Sequence, residues 1–123
     1  MWNFLVGEGT NGGMSAYAEL RKFLDKGETV EAIVFGDWGW GGYDEPDPAP
    51  VPVEKRGKVL TLRQARPYMQ SWSFFGGFGA PSCYAVRVWT NKRVIWVTQY
   101  DGATGLDSSL RNPEECKPDM PGG

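Results

Sequence analysis

The 123-residue chain contains no histidine, which removes the side chain most often used as a general acid or base near neutral pH and the commonest metal ligand. Carboxylates, two thiols, arginines and a dense set of aromatic rings are left to do chemistry. Asp44, Glu45 and Asp47 cluster, but they stand in a run broken by Pro46, Pro48, Pro50 and Pro52. A carboxylate dyad needs a fixed separation on rigid elements, and such a run supplies none. Cys83 has no evident basic neighbour in sequence to depress its pKa, and Cys116 sits in a Pro-flanked tail. Their spacing fits no metal site, and the two read as reduced, unrelated thiols. Gly76-Gly77-Phe78-Gly79 is glycine-rich, yet it lacks the Gly-Lys-Ser/Thr ending of a phosphate loop, and Pro81 and a strand follow it where a helix is required. The expectation is a protein that is not an enzyme, with no catalytic set, no metal site and no cofactor.

Binding chemistry remains. Trp72, Phe74, Phe75, Phe78, Trp89 and Trp96 offer ring faces able to stack a nucleobase, a contact of roughly 1–3 kcal/mol per base. Arg63, Arg66, Arg87, Arg93 and Arg111 offer planar guanidinium groups suited to phosphate oxygens. Asn91 and Asn112 can read a base edge or a ribose hydroxyl. The densest part of this set is Gln70–Asn91, where Gly76, Gly77 and Gly79 let the backbone approach a flat ligand closely. Taken one at a time, Val86, Trp96 and Phe74 read as core, and Arg63 and Arg66, three apart on one helix face, read equally as solvated surface or as an anion contact.

The elements that must position these groups follow from periodicity. Ser15 is an N-cap for a helix with Tyr17, Leu20, Phe23 and Leu24 at helical spacing, stopped by Gly27. Thr29–Phe35 is rich in β-branched residues and reads as a strand. Gly36–Lys58 is a long Gly/Trp-rich and then Pro-rich loop, with Pro46–Pro52 extended in a polyproline-like form. Within it, Trp38, Trp40 and Tyr43 are either a lid over a ligand or anchors covering the sheet, and the anchor is favoured because burial of so large a ring stabilises any fold. Thr61 and Gln64 make a capping box for a second helix with Leu62 and Ala65 inward, and Pro67 limits it, short or kinked before Tyr68. Cys83–Thr90 and Arg93–Tyr100 alternate in polarity around Asn91-Lys92, and Asp101-Gly102 turns into a shorter strand near Ala103–Leu106. The reading is an α+β domain over residues 1–123: an antiparallel β-meander with two short helices, an added arm at 1–13, the loop at 36–58 and an irregular tail at 107–123. Within that tail, Arg111-Asn112-Pro113 holds its arginine in a defined place, since asparagine before proline fixes a turn.

Composition narrows the partners. The formal charge of −2 argues against DNA or RNA, whose phosphates call for a basic excess. No apolar run approaches the length of a membrane span, and Met1–Gly13 lacks the basic start and continuous apolar stretch of a signal peptide, so the expected location is cytoplasmic. With 17 glycines and 9 prolines the chain is rich in turns, and such small loop-rich domains often assemble to bury more surface.

From Trp72 to Pro113 (WSFFGGFGAPSCYAVRVWTNKRVIWVTQYDGATGLDSSLRNP) the chain resembles the anti-Thoeris sponge proteins of bacteriophages, the first-described family of Thoeris anti-defence proteins. The preceding EAIVFGDWGW segment and the early helix are compatible with it. The resemblance implies a small α/β oligomer, a dimer or hexamer, in the cytoplasm of the infected bacterial host. It implies that the protein sequesters a cyclic ADP-ribose isomer without cleaving it, and some members of the family also bind cyclic oligonucleotides at a separate site. It implies a pocket at a subunit interface, with Phe75 or Phe78 stacking adenine, Asn91 making a polar contact and Arg111 on the pyrophosphate. Arg66, Arg93 and Asn112 complete the candidate ligand-binding set. The arm at 1–13 and the proline-rich Asp44–Pro52 insert depart from the family pattern. The competing expectation is a phage inhibitor or interaction module that binds a host defence protein directly, with Trp38 and Trp40 exposed as hot spots.

Overall fold

The computed structural model describes residues 14–39, 45–46, 48–74, 83–100, 103–113, 115 and 117. The fold is α+β. An open antiparallel sheet of four strands, β1 (Val30–Trp38), β2 (Tyr84–Thr90), β3 (Arg93–Tyr100) and β4 (Ala103–Leu110), runs in the order β1-β2-β3-β4. Two helices, α1 (Ala16–Phe23) and α2 (Leu62–Met69), share one core cluster with one of its faces.

Both helices start as their sequences dictate. Ser15 Oγ accepts from Ala18 N–H (3.1 Å). Thr61 and Gln64 form the reciprocal capping box, at 3.1 and 2.9 Å, which satisfies two backbone donors that a helix start otherwise leaves unpaired. Pro67 does not stop α2 before Tyr68. The helix runs on to Met69 with Pro67 inside it, because Met69 and Ala65 are buried and their packing offsets the one backbone bond that proline removes.

The sheet alternates between its two faces, with β1 shifted in register between Val30 and Ala32 and between Phe35 and Trp38. Ile33, Phe35, Tyr84, Val86, Val88 and Ile95 face the helices and are buried, while the register places Val34 beside Arg87, Arg87 beside Trp96 and Ala32 beside Trp89 on the opposite face. Trp96, read from sequence as core, therefore lies half-buried on the face without helices. Tyr84 is the hub of the core: Trp38 and Trp72 meet its ring edge-on at 5.0 and 5.2 Å, and its hydroxyl accepts from Val51 N–H at 3.2 Å. Trp38 is 7% exposed, so it is an anchor and does not present a hot spot. Trp40 and Tyr43 lie outside the described residues.

Three boundaries differ from the sequence reading. β1 continues through Gly36, Asp37 and Trp38, since Gly36 lets β2 approach closely; a Cβ there would meet the Ala85 Cβ at 3.1 Å. The loop that follows contains a 3₁₀ turn at Val53–Lys55, then Gly57, whose φ of 73° suits glycine and whose N–H reaches Phe35 O at 2.7 Å. β4 extends four residues past the expected Leu106, through Asp107 to Leu110, all paired with β3.

Candidate functional site

Four of the sequence-predicted polar residues, Asn91, Arg93, Arg111 and Asn112, stand at one end of the sheet. Asn91, in the β2–β3 turn, accepts from Thr29 N–H through Oδ1 at 2.9 Å and donates its own N–H to Thr29 O at 3.0 Å, which fastens the turn to the start of β1. Arg111 follows β4 and donates its N–H to Lys92 O at 3.0 Å. Its guanidinium pairs with Glu31 and donates to Thr90 O at 2.8 Å. The arginine that the Asn-Pro turn was expected to fix is thus held at the same corner as Asn91, with over a third of its side chain still exposed. Asn112 lies exposed beside it.

Arg93 is at this end too, but it faces inward. Its Nε and Nη2 donate to both oxygens of Glu28 at 2.9 and 2.8 Å, its Nη2 also to the Phe23 carbonyl at 2.8 Å, and its Nη1 to Ser108 Oγ at 3.2 Å. Its guanidinium carbon stands 4.7 Å from the Phe23 ring centroid. The carboxylate of Glu28 is fully buried and also accepts from Thr90 Oγ1 (2.6 Å) and Asp25 N–H (2.9 Å). Hydrogen bonds from Arg93 first, then from Thr90 and the Asp25 backbone, outweigh burial and hold the Glu28 carboxyl down at about 2. Arg93 joins the C-terminal end of α1, β3 and β4, a fastening that no local sequence signal announces because its partner is 65 residues away.

The remaining candidates are apart. Arg66 is exposed on α2, its guanidinium carbon 4.7 Å from the Tyr17 ring centroid on α1. Phe75 and Phe78 lie outside the described residues. Their described neighbours, Phe74 and Cys83, are at the other end of the sheet: Phe74 packs on Trp72 and lines a groove with Thr104 and Leu106, and Cys83 O accepts from Gly39 N–H beside the Trp38–Tyr84 pair. The length of β2 separates the two ends, about 20 Å at the rise of an extended strand. Cys83 is buried, and burial pushes its thiol up to about 11, so it is no nucleophile at neutral pH.

The sheet face that no described element covers brings together rings and cations that lie apart in sequence. Arg87 and Trp96 are direct cross-strand neighbours, and Trp89 stands on the same face, next to Val94. With Val34, Asp37 and Arg56 they line a shallow groove of about 610 Å³, within the range of about 300–1,000 Å³ usual for small-molecule sites. Arg56 closes its rim. It donates to Val51 O through Nε and Nη2 (3.2 and 2.9 Å), pairs with Glu45 and with Asp37 (3.5 Å), and stacks 5.2 Å from the Tyr84 ring centroid. Arg56 was not singled out in the sequence, although it is the residue that straps the proline-rich segment to the sheet. Glu45, read there among possible acids, is its counter-ion. A second groove, of about 360 Å³, lies between α1 and β4, with Phe23, Phe74 and Leu106 as its apolar wall and Glu19 and Lys22 alongside.

Among the described residues no group of three or more acidic or cysteine side chains is placed to hold a metal ion, and no helix is long and apolar enough to cross a membrane. Comparison of the chain with known protein families, with curated proteins and with solved structures finds no match.

Proposed function

We propose that this protein is a phage-encoded immune-evasion protein that binds a cyclic nucleotide signal, a cyclic ADP-ribose isomer and also cyclic oligonucleotides, and holds it without cleaving it. The observation that carries the reading is the pairing of Arg87 with Trp96, next to Trp89, on a sheet face that no described element covers. A half-buried indole stacks a base, and an adjacent guanidinium meets phosphate oxygens. Trp89 leads along β2 into the corner where Asn91 and the partly exposed Arg111 supply further polar contacts. Capture in place of turnover is supported by the sequence, which lacks histidine. The reading includes a homo-oligomer, dimer or hexamer, with the site at the interface between copies.

The test is to incubate the purified chain with a cyclic ADP-ribose isomer, remove free ligand, denature by heat and analyse what is released. The expected result is stoichiometric release of unaltered ligand, with tenfold or greater weakening in Arg87→Ala and Trp96→Ala. Absence of captured ligand, or recovery of a cleaved product, overturns the proposal.

A second reading rests on the same face. Two tryptophans beside an arginine have the composition of a protein-interaction hot spot, and a phage inhibitor could use them to cover a host defence protein directly. A stoichiometric protein partner in a pull-down from host lysate, lost in Trp96→Ala, together with no nucleotide-induced shift in melting temperature, selects this second reading.

A further inference from the structure

The groove that holds Arg87 and Trp96 also holds a carboxylate, Asp37. β1 brings it there through a bulge. Phe35 pairs with Val86 and Trp38 with Tyr84, so Gly36 and Asp37 together stand opposite the single residue Ala85. A bulge re-aims a side chain that regular alternation would send the other way, and bulges are common beside functional sites. Here Phe35 and Trp38 both point into the core, and Asp37 is left on the groove side with 74% of its side chain exposed.

Holding Arg56 does not account for Asp37. The Nε and Nη2 atoms of Arg56 are spent on Val51 O and Glu45, its guanidinium carbon stands 5.2 Å from the Tyr84 ring centroid, and Glu45 already balances its charge. Asp37 meets only the remaining nitrogen, Nη1, at 3.5 Å, and a pair this exposed adds little stability. What the two leave at this end of the groove is a carboxylate acceptor beside an N–H donor. Such a pair suits hydroxyls, each of which both donates and accepts, and the carboxylate repels phosphate. There is room for a sugar next to it: Gly36 and Ala85, and Gly57, whose N–H bonds to Phe35 O at 2.7 Å, line the groove with nothing larger than a methyl group.

We infer that Asp37 is the hydroxyl-reading residue of this groove: its carboxylate accepts from the vicinal diol of a ribose whose phosphate lies on Arg87 and whose base stacks on Trp96. Asp37 has this role only if the groove takes a nucleotide, and it then decides which kind. Arg87 lies two residues along β2 from Ala85, and Asp37 lies one strand across from Ala85. That sets the Cα atoms of Arg87 and Asp37 about 8 Å apart, a span for the ribose phosphate of a single nucleotide. Charge fixes the orientation, phosphate at Arg87 and hydroxyls at Asp37, because a phosphate set against the carboxylate is disfavoured. The groove therefore selects ligands with a free ribose diol, such as a cyclic ADP-ribose isomer, over anions that offer phosphate at both ends.

The experiment titrates the full chain by calorimetry with two probes, a cyclic ADP-ribose isomer and inorganic pyrophosphate, which has the phosphates without the diol. Asp37→Ala is expected to weaken the isomer tenfold or more, yet to bind pyrophosphate about twofold more tightly at low salt, since a negative charge about 8 Å from the bound anion is removed. Arg87→Ala is expected to weaken both. Opposite shifts for the two probes are a result that loss of packing does not give. Equal affinity of wild type and Asp37→Ala for the isomer overturns the inference and leaves the nucleotide reading standing, and so does a matched loss of both probes, which makes Asp37 structural. A wild type that does not take the isomer overturns the nucleotide reading and this role with it. If pyrophosphate is too weak to measure, the isomer decides together with the urea midpoint of Asp37→Ala: weakening at an unchanged midpoint supports the role, and no weakening, or weakening with a lowered midpoint, overturns it.

Discussion

Glu28 gives the sharpest test of how this sheet is held at the end that carries Asn91 and Arg111. Its carboxylate is buried and bonded by Arg93 through two nitrogens, by Thr90 and by the Asp25 backbone, and its pKa falls from 4.5 to about 2. A carboxyl whose folded pKa is depressed adds stability above its unfolded pKa and loses it as pH falls through the folded one. The contribution is therefore complete above about pH 5 and gone near pH 2, and the shift corresponds to about 3 kcal/mol. Replacing Glu28 by Gln leaves Arg93 buried against a neutral amide, and breaking a buried pair from one side costs about 3–5 kcal/mol. Two independent routes thus give the same magnitude. The assay is urea unfolding of wild type and Glu28→Gln, followed by tryptophan fluorescence from pH 7 to pH 2.5. Other carboxylates titrate equally in both proteins, so the difference in unfolding free energy isolates this one. It is expected to be about 3 kcal/mol at pH 7 and to shrink steadily below pH 4.5. A difference under about 1 kcal/mol at pH 7, or one independent of pH, would refute the assignment of Arg93 to the scaffold and return it to the ligand.

Two more outcomes separate scaffold from site. Arg111→Ala removes only a partly exposed ion pair with Glu31 and one bond to Thr90 O, so unfolding free energy is expected to fall by no more than about 1 kcal/mol, while affinity for a cyclic ADP-ribose isomer weakens by roughly 1.5–3 kcal/mol if the guanidinium meets a phosphate; calorimetric titration with unchanged affinity excludes Arg111 from the site. Cys83, buried and shifted up to about 11, is expected to resist a thiol reagent at pH 8 in a Cys116→Ser background and to react only on unfolding, and rapid labelling of the native protein contradicts that burial.

The meander was legible because its signals are local. Alternation in Tyr84–Thr90 and Arg93–Tyr100, with Asn91-Lys92 between them, fixes Arg87 opposite Trp96, and the rest of that face follows. Capping at Ser15 and at Thr61 was legible for the same reason. What sequence could not show are the features made by distant partners. Asp107, Ser108 and Ser109 have weak strand preference, and they are strand only because β3 offers a complete ladder to pair with. Arg56 lies in the loop expected at 36–58, where no local signal marks it, and its role exists only once Tyr84 and Val51 are brought beneath it.

The candidate binding residues divide along the same line. Sequence reasoning placed Asn91, Arg93 and Arg111 in one candidate set with Arg66 and Asn112; Arg66 lies apart on α2, while Asn91, Arg93 and Arg111 stand at one end of the sheet, where the strand alternation gives them different tasks. Arg93 falls on the inward face opposite Leu110, where a lone guanidinium would be costly to bury, and the buried Glu28 carboxylate neutralises it. Arg111 falls one residue beyond the last rung of β4, where among the described residues its side chain meets only Glu31 and one carbonyl and over a third of it stays exposed. A ligand phosphate competing for Arg93 must displace a buried carboxylate held by several bonds, whereas at Arg111 it competes with one exposed glutamate, and that difference in cost makes Arg111 the arginine of this corner available for binding.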